Sequence, residues 1–259
     1  MKKPSDPRHA NEPGPGPLAQ ATGACLAAAA LLAPAAAQEA RHMPGGFVHL
    51  TDIAQTVRLD IRYHGSNNFL GRPVQGYDAP TCILSRQAAQ RLLAVQRELH
   101  PQGLTLKVFD CYRPQQAVND FVAWSRDPED QRTKPDFYPD LPKEALFDKG
   151  YLAARSSHSR GSTVDLTLAA LQPEADGAGL PTRGPLTAEG EVDMGTPFDL
   201  FDPRSNTEHA DLPGHVRHNR SFLKGLMARH GFRNLPEEWW HYTLENEPYP
   251  DTYFNFPVR

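Results

Sequence analysis

The stretch Ser156-Ser-His-Ser-Arg-Gly-Ser-Thr-Val-Asp-Leu-Thr-Leu168 decides how this chain is read. From Thr163 to Leu168, apolar Val164, Leu166 and Leu168 alternate with polar Thr163, Asp165 and Thr167, the period of a strand. The apolar set belongs on a core, which puts Asp165 on the opposite face. Gly161, just upstream, predicts a tight turn that brings the His158 imidazole alongside the Asp165 carboxylate. The candidate chemistry is thereby placed on a sheet.

Working outward, Leu104-Thr-Leu-Lys-Val-Phe109 predicts a second strand, and the alternation of Val57, Leu59, Ile61 and Tyr63 with Arg58, Asp60 and Arg62 predicts another. Ser85 is a good N-cap for a helix to about Leu99, with Ala88, Leu92, Val95 and Leu99 on one stripe, stopped by His100-Pro101 and Gly103. A helix is expected after Pro114, to about Ser125, burying Ala117, Val118, Phe121 and Val122. A further one is expected from about His218 to His230, ended by Gly231. Residues 126–150 read as a long loop with one short helix, and Leu171–Val192, rich in Gly, Pro and acids, as an exposed loop. Strands and helices mix without a regular βαβ rhythm. We therefore expect an α+β fold, one domain over residues 47–259 with a central antiparallel or mixed sheet flanked by helices.

Of the 259 residues, 39% are apolar and 22% charged, too apolar for a wholly disordered chain. The 25 prolines disfavour a helical bundle, and the net charge of −4 argues against a nucleic-acid partner. Residues 1–37 read as an export signal: Lys2, Lys3 and Arg8 give a basic start, an alanine-rich run covers 21–33, and Ala35-Ala-Ala37 forms a cleavage pattern. The run is too short and too weakly apolar to span a membrane. Residues 38–46 then form a short N-terminal segment, and an exported chain with no stable membrane insertion is expected in the periplasm or cell envelope. Removing three bases (Lys2, Lys3, Arg8) and two acids (Asp6, Glu12) leaves 222 residues at −5. Cys25 leaves as well, so Cys82 and Cys111 remain as an even pair, either a disulfide or two buried thiols.

A second histidine in unusual company is His241, in Glu237-Glu-Trp-Trp-His-Tyr242. With His158 and Asp165 it completes three protein ligands, the number a catalytic Zn²⁺ takes while keeping one position open for water. Such chemistry also needs a carboxylate that is not a ligand, and Glu238 stands three residues before His241. Residues three apart in a strand face opposite sides, so Glu238 is expected just before the strand of His241. Read separately, His158 with Asp165 matches chance spacing, and Glu-Trp-Trp-His fits a buried aromatic strand.

Taken together, these blocks resemble the VanX-type zinc D-alanyl-D-alanine dipeptidases, within the wider peptidase M15 group that includes D-Ala-D-Ala carboxypeptidases. The likeness extends to Asp110-Cys-Tyr-Arg-Pro114, Gly195-Thr-Pro-Phe-Asp199 and Glu247-Pro-Tyr-Pro…Tyr253-Phe-Asn-Phe-Pro257, in the same order over nearly all of residues 47–259. The resemblance implies one Zn²⁺ held by His158, Asp165 and His241, with Glu238 as general base and acid. It implies Arg113 facing the oxyanion and Asp199 reading the free amine, with Tyr63 and Ser156 or Ser157 shaping a small pocket walled by Trp239. The implied activity is hydrolysis of D-alanyl-D-alanine. A D,D-carboxypeptidase or endopeptidase on longer wall peptides is the rival, and a non-catalytic peptide- or metal-binding module the more distant one. Two departures stand out: the export signal, which the best-known resistance enzymes lack, and a longer loop at 171–192, expected to alter access if it overhangs the pocket.

Overall fold

The structure is a computed structural model and describes residues 42–172, 177 and 179–259. The expected export signal at 1–37, with its cleavage near Ala37, lies outside the described residues. The α+β expectation holds. A five-stranded mixed sheet, with order β2-β4-β5-β7-β6, carries the molecule, and a two-stranded ladder, β1 (Phe47–His49) with β3 (Ile83–Ser85), lies beside it. The five strands are β2 (Arg58–Leu59), β4 (Leu104–Asp110), β5 (Thr163–Ala170), β6 (Phe232–Asn234) and β7 (His241–Leu244). Only the β2–β4 pair is parallel within this sheet; the other three pairs are antiparallel.

Strand β5 is central, and both its faces are buried, so the Thr163–Asp165–Thr167 face lies under other structure too. Its pairing with β4 runs from Leu104↔Ala170 to Val108↔Leu166, then shifts register so that Asp110 stands opposite Asp165. A bulge of this kind re-aims side chains where a regular ladder would not. On the other side Asp165 faces His241 directly. The sheet thus brings three of the chemistry-bearing positions into one row.

Helix α1 (Leu50–Ile53) follows β1, and α2 (Arg86–Leu99) begins where expected, with the Ser85 hydroxyl accepting from the Ala88 N–H. Ala88, Leu92, Val95 and Leu99 are all buried, which fits the predicted stripe. Helix α3 (Gln115–Ser125) buries Ala117, Val118, Phe121 and Trp124; Val122 is only half-buried. Helices α4 (Lys134–Phe137) and α5 (Ala145–Asp148) give the 126–150 loop two helical turns rather than one. That loop is held by Lys143, which is buried and donates to the carbonyls of Trp124 and Asp127. Helix α6 (Gly214–Arg229) starts a turn earlier than expected because the Pro213 carbonyl takes the Arg217 N–H.

The alternation at 57–63 is cut short. Beyond Leu59 the chain makes one more ladder bond, Asp60 N–H to Val108, then turns into a 3₁₀ helix at Arg62–His64. The cause lies downstream, where the buried Asn68 amide donates to the carbonyls of Arg62, Gly65 and Arg72 and ties 62–72 into a compact loop. The 171–192 loop is not wholly exposed either: its second half returns to the sheet, with Ala169 bridged to Glu191 and Val192 buried. Cys82 and Cys111 form a disulfide with Cα atoms 5.3 Å apart. Among the described residues no helix is long and apolar enough to cross a membrane.

Candidate active site

His158 reaches the sheet through the turn the sequence predicted. Ser156 caps a short 3₁₀ helix, Ser157–Arg160, its hydroxyl accepting from the His158 N–H at 3.3 Å. Gly161 follows with φ 83°, and a Cβ there would sit 2.1 Å from the Phe47 ring. Only glycine combines that backbone with that approach. The turn sets His158 over Asp165, whose strand neighbour is His241.

Three ligand atoms converge. His158 Nε2 lies 3.3 Å from Asp165 Oδ1, His241 Nδ1 lies 3.2 Å from the same oxygen, and the two ring nitrogens are 3.3 Å apart. Asp165 Oδ1 is buried and makes no well-aligned hydrogen bond among the described residues. The other nitrogen of His158, Nδ1, meets the Cys111 carbonyl at 2.7 Å, a contact that requires the proton on Nδ1, so that in the neutral ring Nε2 carries the lone pair. Two imidazoles turned toward one carboxylate oxygen in this way suit a bound cation better than each other. His241 presents its far nitrogen to the Ser157 hydroxyl at 3.3 Å. Such outer contacts fix tautomer and ring orientation in metal sites.

Charge follows this geometry. Burial works to raise the Asp165 pKa, but the His158 and His241 imidazoles outweigh it and hold the carboxyl below its usual range. Burial works to lower that of His241, but Asp165 and Glu238 push it up to about 9. Glu238 does lie just before β7, in a turn whose carbonyl accepts from the Asn234 amide, and its Oε2 is 3.3 Å from His241 Nδ1.

Arg113 leaves the end of β4 and is gripped by Asp110, with Nε donating at 2.9 Å; its guanidinium also lies 3.5 Å from Asp165 Oδ2 and over the Tyr63 and Phe121 rings. Asp110 is fully buried, accepts from the Tyr77 hydroxyl at 2.6 Å, and lies 3.4 Å from His158 Nδ1. Burial raises its pKa, against the pull of Arg113 and His158. One carboxylate therefore braces both a metal-ligand candidate and the candidate oxyanion partner. Asp110 falls within the Asp110–Pro114 block, but neither its bracing role nor that of Tyr77 has a signal in the sequence pattern.

Asp199 lines the same cavity as Arg113 and His158. Its φ is 62°, a left-handed value rare outside glycine, and its Oδ2 accepts from the Tyr63 hydroxyl at 2.8 Å. Burial, reinforced by the charge of Asp165, pushes its pKa well above the ordinary carboxylate value. The segment is held from behind by Arg220, buried on α6, which donates to the carbonyls of Met194, Arg204 and Asn206.

A cavity of about 440 Å³ collects these groups: Tyr63, Arg113, Ser156, Ser157, His158, Asp165, Asp199, Glu238 and His241 all line it. Trp239 does not. Its indole donates to the Thr196 hydroxyl at 2.8 Å and lines a neighbouring cavity, so it buttresses the segment leading to Asp199 instead of walling the site. No described residue of the 171–192 loop lines the site cavity; residues 187, 189, 191 and 192 line the neighbouring one.

A relative from Streptomyces coelicolor named D-alanyl-D-alanine dipeptidase is 42% identical over 216 residues, covering 83% of this chain and 100% of its own. One of the same name from Enterococcus faecium is 39% identical over 214 residues, 83% of this chain and 98% of its own. Another, from Escherichia coli K12, is 28% identical over 198 residues, 76% of this chain and 83% of its own. The Peptidase_M15 family model, described as D-ala-D-ala dipeptidase, matches residues 43–259, and the chain belongs to that family of metal-dependent peptidases.

Proposed function

We propose that the protein is a zinc-dependent dipeptidase that hydrolyses D-alanyl-D-alanine to two D-alanines. The observation that carries this reading is the triangle of donor atoms, with edges of 3.2–3.3 Å. Bonds of about 2.0–2.1 Å in tetrahedral geometry put ligand atoms about 3.3–3.4 Å apart, so these residues fit Zn²⁺ as they stand. His158, Asp165 and His241 would hold the ion, which when bound supplies a Lewis acid and a water acidic enough to ionise near neutral pH.

The chain's own groups account for the rest. Glu238 Oε2, beside the triangle, takes the proton of the attacking water and returns it to the leaving amine. Arg113, fixed by Asp110, offers its guanidinium where charge develops on the carbonyl oxygen, which favours the transition state over the neutral ground state. Tyr63 occupies one oxygen of Asp199, and the other, Oδ1, has no hydrogen bond among the described residues. That free oxygen takes the substrate ammonium. The cavity volume suits a small peptide. We further propose that the basic start and alanine-rich run of residues 1–37 direct export; N-terminal sequencing of the secreted protein should begin just after Ala37.

Hydrolysis of D-Ala-D-Ala, measured with and without chelator, and of its N-acetylated form, tests the reading. We expect turnover of the free dipeptide that chelator abolishes and zinc restores, and little turnover of the blocked form. Rapid cleavage of the N-acetyl compound would favour a carboxypeptidase instead.

A further inference from the structure

The sheet register gives the site a direction. Thr163 of β5 stands opposite Thr243 of β7, and Thr243 stands opposite Arg233 of β6; Asp165 and His241 form the next pair along. Side chains two apart on a strand share a face, and cross-strand partners share it too. Arg233 therefore projects from the same face as the metal-ligand candidates, one strand outward from His241, and it lines the same cavity. Diagonal neighbours of this kind are about 7–8 Å apart at Cα, within the span of a long side chain and a small ligand.

The other cations of the cavity are engaged. Arg113 is bound by Asp110, Arg160 pairs with Glu247 at 2.7 Å, and Arg155 rests over the Tyr253 ring at 4.9 Å. Arg233 is exposed, and its side chain has no hydrogen bond, ion pair or ring contact among the described residues. Across the sheet, Tyr63, bonded to Asp199, follows β2 in the chain, Arg113 follows β4, Asp165 lies on β5 with His158 in the turn before it, His241 lies on β7 and Arg233 on β6. A zwitterionic dipeptide has its charges at opposite ends. With its ammonium on Asp199 and its peptide carbonyl at the triangle, its carboxylate points toward β6.

We infer that Arg233 reads the C-terminal carboxylate of the substrate, its planar guanidinium forming a charge-assisted contact that restricts the site to peptides with a free acid end. This rests on the dipeptidase reading above and adds the second half of the substrate's recognition.

The test compares D-Ala-D-Ala with D-alanyl-D-alaninamide, which lacks the charge, on the wild type and on Arg233→Gln and Arg233→Lys. We expect Arg233→Gln to raise KM for the acid by about fivefold to tenfold with kcat within twofold, the size of one charge-assisted contact at a partly exposed site. KM for the amide should stay unchanged, and Arg233→Lys should recover part of the loss. Calorimetric binding of both ligands to the zinc-loaded Glu238→Gln variant, with and without Arg233→Gln, should show the same loss for the acid alone. An unchanged acid-to-amide ratio in Arg233→Gln overturns the inference while leaving the dipeptidase reading intact. So does a collapse of that ratio in Arg155→Gln but not in Arg233→Gln. A wild type that leaves D-Ala-D-Ala uncut overturns the dipeptidase reading itself, and this inference with it.

Discussion

Two buried carboxylates face the same cavity, and their pKa values are pushed in opposite directions. Asp165 sits on the central strand, opposite Asp110 just past the bulge on the β4 side and opposite His241 on the β7 side, and the His158 and His241 imidazoles keep it ionised. Asp199 sits in a left-handed turn outside any strand, supported by a tyrosine hydroxyl and with no ion pair among the described residues, so burial pushes its pKa up against the pull of Arg113. The first has its positive partners built into the fold. The second has no such partner in the fold; in the proposed reading the substrate ammonium supplies it, and until then its burial costs stability.

The largest expected effect falls next to the first carboxylate. Glu238→Gln should keep the metal, measured by elemental analysis, and lose about 10²–10⁴ in kcat as a general acid–base is removed. Near-normal kcat would take Glu238 out of the chemistry.

Asp199→Asn separates the two carboxylates. It should lower kcat/KM for the free dipeptide roughly tenfold to a hundredfold, as one contact to a charged group is weakened. The stability effect runs the other way. A carboxyl whose folded pKa lies above its unfolded one opposes folding increasingly as pH rises through the folded value, and has no effect at pH well below both, where it is protonated in either state. Asn also tolerates the left-handed backbone. The variant should therefore melt higher than wild type at neutral pH, with the gain vanishing in acid. A lower Tm at pH 7 would show that Asp199 is a structural group.

A third measurement concerns how the ladder side is braced. The Cys111 carbonyl that orients His158 belongs to a disulfide joining residues 29 apart in sequence. Replacing both cysteines with serine should cost about 3–4 kcal/mol by loop entropy, read from denaturant unfolding. It should also weaken zinc affinity about tenfold, at the low end for lost outer-shell support. Unchanged affinity would mean the strand alone positions that carbonyl. Smallest in its effect on turnover should be Arg220→Met, which removes the donor from three carbonyls behind Asp199. KM should rise a few-fold with kcat nearly kept, while stability falls by about 2–4 kcal/mol.

The same contrast explains what could be read in advance. His158, Gly161, Asp165, Glu238 and His241 lie in short blocks whose period and turn chemistry are local, and they were legible. So was the α2 stripe, because a capping serine and a helical repeat sit within one stretch. Val57–Tyr63 carried an equally clean alternation and was misread beyond Leu59, since Asn68 bonds the chain into a loop that pattern alone does not reveal. Trp239 looked like a pocket wall by its place in the motif, yet its indole turns to Thr196. Asp110, Tyr77, Asn234 and Arg220 act through partners far away in sequence or through backbone carbonyls, and neither leaves a periodic trace.

The turn that carries His158 leans on both ends of the described chain. Phe47 lies against Gly161, Phe47 packs edge-on to Phe254 and Phe256, and the Phe254 N–H bonds to the Ser159 carbonyl. Contacts spanning that much sequence form late, since loop closure must come first. During synthesis, a ribosome must release residues 254–256 before the turn at 158–161 has its backing. A nascent chain stalled short of that point already carries His158, Asp165, Glu238 and His241, and still lacks the frame that holds them together.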